Sequence, residues 1–331
     1  MGADTSCRTT TGVVVYCFGL RREAERRRDP SADLFEPLRF LEHCRRLGAG
    51  GVQIPLGARD AEYAGQLRRR AEEAGMFVEG IVDPPRDQAD LDRFDAQMRT
   101  AALAGATVVR TVILPGRRYE FFESAEQFRK YDLQARKSVE LAASVAQRHR
   151  VRMAIENHKD HRVAERIRLL EHIGSEWVGA CVDVGNDLAL LEDPIESVRA
   201  YAPWAMSVHL KDQAVAPYED GFLLGDVPLG RGVLDLKTMV SLLQKAKPQI
   251  RFVLEIITRD PLRVPCLTER YWATLAEVPG RDLARTLRLV RRHAAGSLPQ
   301  LSAQSAQERV AWEHRNVIES LTFARDALGL S

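Results

Sequence analysis

A (β/α)8 TIM barrel with a C-terminal helical extension is the fold class that the sequence predicts. Three features predict it: eight short apolar runs, amphipathic charge-rich segments between them, and glycines where helices should give way to strands. Parallel strands need long crossovers, which helices supply, and a sheet covered on both faces reads as continuous apolar runs. Six such units would suggest an open doubly wound sheet; eight suggest closure.

The runs, in order, are GVVVYCFG (12–19), GVQIPL (51–56), MFVEGIV (76–82), TVVRTVIL (107–114), VRMAIE (151–156), VGACVDV (178–184), AMSVHL (205–210) and RFVLEII (251–257). Helical patterning covers residues 33–47, 60–74, 88–104, 124–149, 161–173, 194–202 and 235–246. Gly48, Gly75 and Gly105 stand where left-handed C-caps are expected, and Pro194 where a helix should begin. Two connections are long, LPGRRYEFFES (114–124) and KDQAVAPYEDGFLLGDVPLGRG (211–232). In a barrel both border the face that binds substrate, so Arg117, Arg118 and Tyr119 are read as lid candidates against a solvated loop. Gly230-Arg231-Gly232 is read as a phosphate cradle or a tight turn. The barrel is assigned to residues 12–295 and the extension to 296–331, where a loose GSLPQLSAQSAQ precedes one amphipathic helix. That tail is too short for a second domain and is read as a packing arm or an oligomer contact.

Composition narrows the function. Net charge is +2, from 48 basic and 46 acidic residues, so no bias toward nucleic acid or anionic membrane follows. The arginine runs at 21–22, 26–28 and 68–70 sit among acids and read as solvated helix faces. Five cysteines without a paired spacing point to reduced, mostly buried thiols, hence a cytoplasmic location. No signal-like segment opens the chain, and no apolar stretch reaches about 18 residues.

The chemistry concentrates at the ends of the last four runs. The fifth ends in Glu156, CVDVGND carries Asp183, SVHLKD carries His209, and VLEII carries Glu255. Adjacent staves of one barrel would bring these side chains to one point. Three carboxylates and an imidazole suit a hard or borderline divalent ion such as Mn2+, Mg2+, Co2+ or Zn2+. Singly, each has a plainer reading: an edge glutamate, a turn-ordering aspartate, a core histidine. Glu255 is the hardest to dismiss, because an unpaired buried carboxylate costs several kcal/mol.

The order IEN, DVGN, HLKD, LE, with the later PLGRG turn, resembles the xylose-isomerase-like TIM-barrel superfamily, in its sugar phosphate isomerase/epimerase branch with the ketose 3-epimerases. The resemblance implies that Glu156, Asp183, His209 and Glu255 hold the metal, Mn2+ first among the candidates, and that the two glutamates form the acid/base pair. Asn186 stands where those epimerases have a histidine, and Val215 where they have an arginine. IENHKD, with IITRDPLRVPCLTERYW (256–272), looks more like relatives acting on oxidised sugars.

The expected reaction is proton abstraction beside the carbonyl of a small keto sugar, through an enediolate, giving isomerisation or epimerisation. His158 is the expected proton-transfer partner, with an unperturbed pKa of about 6.5; a surface loop histidine is the plain alternative. Lys211 is expected to steady an oxyanion or a substrate carboxylate; a salt bridge to Asp212 or Glu219 is its alternative. The same enolate leads to lyase outcomes, namely elimination from a 3-oxo-glycoside, as in C-glycoside deglycosidases, or decarboxylation of a 3-oxo sugar acid. An apurinic-site nuclease and a non-catalytic sugar-binding subunit are remote readings. A homo-oligomer is expected, and the C-glycoside relatives imply a possible partner subunit.

Overall fold

The computed structural model describes residues 9–331. Cys7 lies outside them; Cys17, Cys44, Cys181 and Cys266 are buried free thiols. Eight parallel strands close into a barrel: β1 (Gly12–Val14), β2 (Gly51–Pro55), β3 (Phe77–Ile81), β4 (Val108–Thr111), β5 (Arg152–Glu156), β6 (Val178–Asp183), β7 (Ala205–Leu210) and β10 (Phe252–Leu254). Between β7 and β10 lie β8 (Asp212–Tyr218) and β9 (Gly221–Val227), and β11 (Leu262–Val264) follows. Around the barrel the order is β1-β10-β7-β6-β5-β4-β3-β2. Each expected run contains one barrel strand. All but β7 are shorter than their runs, β1, β4 and β10 by the most; after Val14 the chain turns early into a 3-10 turn over Val15–Phe18.

The helices are α1 (Gly19–Arg28), α2 (Pro37–Arg46), α3 (Ala61–Ala74), α4 (Leu91–Leu103), α5 (Arg118–Phe121) and α6 (Ala125–His149). They continue with α7 (Val163–Ile173), α8 (Pro194–Tyr201), α9 (Leu236–Ala246), α10 (Glu269–Trp272), α11 (Gly280–Arg292) and α12 (Ala306–Leu328). Gly48, Gly75 and Gly105 all take positive φ, where a Cβ would be strained, and Pro194 is the first residue of α8.

Strand alternation sets the two surfaces of the barrel wall. Met153 and Ile155 face the helices and join the main core, whereas Ala154 and Glu156 point inward. Bonds across the interior confirm the inward set: Ser207 Oγ on β7 donates to Glu79 on β3 at 2.7 Å.

The extension is part of the same packing. Val317, Leu321 and Ala324 of α12 belong to the main core. Glu313 accepts the amide N–H groups of Leu20 and Arg21 at the start of α1, at 2.8 and 3.0 Å. Unpaired amides at a helix N-terminus favour such a carboxylate.

The long 211–232 connection departs from the expectation of an open loop. Strands β8 and β9 form an antiparallel hairpin, and β11 completes a three-stranded sheet in the order β11-β9-β8. Val215, Phe222, Leu224 and Val264 give this sheet its own buried cluster, which also takes in Tyr119 and Tyr271. The fourth connection carries α5, and its lid candidates are locked down. Arg118 is 4% and Tyr119 1% exposed; Arg118 bonds Glu165 at 2.7 Å, Tyr119 packs on Tyr271 with ring centroids 5.1 Å apart, and Arg117 bonds Glu120.

Candidate active site

Four neighbouring staves, β5, β6, β7 and β10, deliver Glu156, Asp183, His209 and Glu255 to one place. One ligand atom from each lies within 4.8 Å of all the others, and all four side chains are buried. Among the described residues they form the only such group of His, Cys, Asp and Glu side chains.

Each member is oriented by a partner. His209 Nε2–H donates to Gln53 Oε1 at 2.7 Å, and Gln53 Nε2 donates to Glu79 at 3.0 Å. This chain leaves Nδ1 turned toward the carboxylates, 3.3 Å from Glu156 Oε2, 3.5 Å from Glu255 Oε2 and 3.9 Å from Asp183 Oδ2. Holding an imidazole by its far nitrogen is how metal-binding histidines are oriented. Asp183 Oδ1 accepts the amides of Gly185 and Asn186, at 3.0 and 2.9 Å, which aims Oδ2 at the cluster. Asn157 pairs its amide with the backbone of Asp183 in both directions, at 2.7 and 2.9 Å, and so ties the end of β5 to β6.

Glu156 Oε2 accepts Arg110 Nε at 2.6 Å, and Oε1 accepts Asn186 Nδ2 at 3.1 Å. Glu255 Oε2 lies 2.5 Å from Lys211 Nζ, which also reaches Asp183 Oδ2 at 2.7 Å. Lys211 therefore pairs inward, and neither Asp212 nor Glu219 is its partner. Burial would raise the pKa of Glu156 and of Glu255, but Arg110 and His209 outweigh it for the first and Lys211 and His209 for the second, so both remain ionised. Burial opposes a charge on His209, yet Cys181, Glu255 and Glu156 raise its pKa well above the ordinary value. The centre calls for positive charge, which a proton or a metal ion can supply. Three converging carboxylates and a pre-oriented imidazole fit a divalent cation.

His158 lies at the rim, partly exposed. Its Nδ1–H donates to Leu114 O at 3.1 Å, and burial lowers its pKa to about 4. The Gly230–Gly232 turn holds no cradle for an external anion. Asp212 occupies it, accepting the amides of Gln213, Gly230, Gly232 and Leu234 at 2.8–3.2 Å. A Cβ on Gly232 would sit 2.1 Å from Asp212 Oδ1, so only glycine fits there.

Arg110, Gln53, Glu79, Lys159 and Asn186 were not singled out from the sequence as site residues. Arg110, Gln53 and Glu79 share a signal: each is the lone long polar side chain in an apolar run, at an inward position.

The family model for xylose isomerase-like TIM barrels matches residues 41–287. The chain belongs to that family. Within the curated relatives, the 3-oxo-isoapionate decarboxylase of Pectobacterium atrosepticum is 28% identical over 113 residues, 34% of this chain. The chain spans only 40% of that relative's length. Among solved structures, D-psicose 3-epimerase with D-fructose superposes with a TM-score of 0.61 at 13% identity, covering 96% of this chain and 99% of that one. A family member from Mycobacterium smegmatis in complex with magnesium gives 0.55 at 15% identity, over 86% and 100%. Likeness at these identities shows the fold alone.

Proposed function

We propose that the protein is a divalent-metal-dependent isomerase or epimerase of a keto sugar, working by proton abstraction next to a carbonyl. The convergence of Glu156, Asp183, His209 and Glu255 within 4.8 Å carries the reading. A divalent ion, Mn2+ by the donor set and the resemblance, would be held by these four and would supply Lewis-acid polarisation of the carbonyl. Glu156 and Glu255 stand on staves separated by β6 and β7, so they address the reacting carbon from two sides. One takes the proton and the other returns it, which inverts the centre; return to the neighbouring carbon isomerises the sugar. Lys211 offsets the negative charge that develops on the substrate oxygen. His158 passes a proton between the rim and Glu156. Gln53 and Glu79 hold His209 in the tautomer that presents Nδ1.

A lyase reading stands second. It is favoured by the decarboxylase relative and by the absence of the epimerase histidine and arginine at Asn186 and Val215. Loss of CO2 from a 3-oxo acid uses the same enolate and the same Lys211.

The test incubates the Mn2+-loaded protein in D2O with ketoses, 3-oxo-glycosides and 3-oxo sugar acids. Deuterium at the carbon beside the carbonyl with retained carbon skeleton supports the first reading, and CO2 or aglycone release the second. No exchange and no release with any member of the panel would overturn both.

A further inference from the structure

Lys159 is a buried cation that the reaction just described does not use. It is 4% exposed, and its ammonium donates to the Asn186 Oδ1 amide oxygen. Among the described residues no carboxylate lies within 4.0 Å of it, whereas Lys211 has two and Arg110 has Glu156. A buried charge without a counter-charge is costly unless function uses it. Its backbone carries a second cost: φ is +65°, a conformation that side-chain-bearing residues rarely adopt. The surroundings enforce it. Lys159 O accepts the Arg118 amide at 2.9 Å, and Arg118 is pinned by Glu165 and Thr274.

The position is informative. Asn186 joins Lys159 to the centre, since its Nδ2 bonds Glu156 and its Oδ1 also lies 3.4 Å from Lys211 Nζ. With His209 neutral, as a metal ligand must be, the side chains balance before the ion and substrate are counted: Glu156, Asp183 and Glu255 against Arg110, Lys159 and Lys211. Arg259 and Asp226, the other charges facing Lys159, offset each other at 3.7 Å. A divalent ion in the centre, which the proposed function requires, leaves two positive charges over. An enediolate cancels one.

We infer that the substrate carries a carboxylate close to its reacting carbonyl, that is, a keto sugar acid, and that Lys159 is the residue that binds it. A carboxylate is favoured over a phosphate for two reasons. One ammonium beside one amide suits a single negative charge, and the amide-lined Gly230–Gly232 turn that would suit a phosphate is filled by Asp212.

The inference rests on the proposed reaction only for the charge left over, and the test separates the two. Calorimetry on the Mg2+-loaded protein would compare the non-reacting probes D-gluconate, D-sorbitol and sorbitol 6-phosphate. Gluconate is expected to bind at least about tenfold more tightly than sorbitol. Lys159→Gln should bring that ratio close to one, and Lys159→Arg should keep part of it. Lys159→Gly, which relieves the positive φ, serves if the glutamine variant fails to fold. Deuterium exchange would then compare a keto-hexuronate with the matching ketohexose. Equal binding of gluconate and sorbitol, a preference that survives loss of the ammonium, or stronger binding of the phosphate would overturn the inference. Gluconate preference without exchange on any keto sugar would instead overturn the enolisation reading and leave Lys159 as the carboxylate seat.

Discussion

Two buried charge clusters follow β5 within a few residues, and they are built in opposite ways. In the first, Asp160 and Arg166 are both fully buried and meet at 2.6 Å; Asp160 Oδ1 accepts the His161 amide at 2.8 Å, and His161 Nε2 meets Asp132 at 2.7 Å. Each charge there has an opposite partner, and the network ties the β5–α7 connection to α6. In the second, the carboxylates of Glu156, Asp183 and Glu255 converge with the Nδ1 of His209. Arg110 and Lys211 neutralise part of this cluster but do not fill its centre. A closed network holds a loop in place; an open one with matched geometry has the donor set for a divalent cation.

Removing one converging ligand should have the largest effect. Glu255→Gln should lower metal-dependent turnover by about a thousandfold or more and abolish the metal-induced rise in melting temperature. Turnover and calorimetric metal titration, run on the same preparation, would check it. In the closed cluster the penalty should fall on stability instead. Arg166→Met strands the Asp160 charge and should cost about 3–5 kcal/mol by urea denaturation. Adding Asp160→Asn should recover part of that, since the stranded charge is removed. If Arg166→Met abolished metal binding at unchanged stability, the division between the clusters would be wrong.

A smaller effect sharpens the open cluster. Mn2+ at about 100 times its dissociation constant should stabilise the protein by about 2.7 kcal/mol, and chelation should reverse this; thermal melts with and without EDTA report it. The smallest effect is the pH dependence of the closed cluster. Burial raises the pKa of Asp160, but Arg166 and His161 outweigh burial and hold it below the ordinary carboxylate range. Its contribution is therefore full above the unfolded value of about 3.9 and is lost as pH falls through the folded one. Burial and Arg166 work against the charged form of His161, but its bonds to Asp132 and Asp160 raise its pKa. That contribution is present below about 6.5 and is lost as pH rises through the folded value. Urea midpoints across the pH range should lose the acid limb in Asp160→Asn and the alkaline limb in His161→Gln.

The barrel, and the end of it where the polar side chains gather, were legible in the sequence alone. Apolar runs and helical periods mark eight units, and in a parallel barrel every strand delivers its C-terminal residue to the same face. Chain direction alone was then enough to bring Glu156, Asp183, His209 and Glu255 together. Which side chains pair with which emerged only in the folded chain. Lys211 turned to Asp183 and Glu255, Asp212 filled the glycine turn, Arg118 and Tyr119 became anchors, and residues 212–227 folded into a hairpin with its own small core. The physical reason is range. Periodicity reports which face of an element is buried, but a hydrogen bond or ion pair depends on a few ångströms between residues far apart in the chain. Gln53 to His209 spans 156 positions, and no local pattern records it.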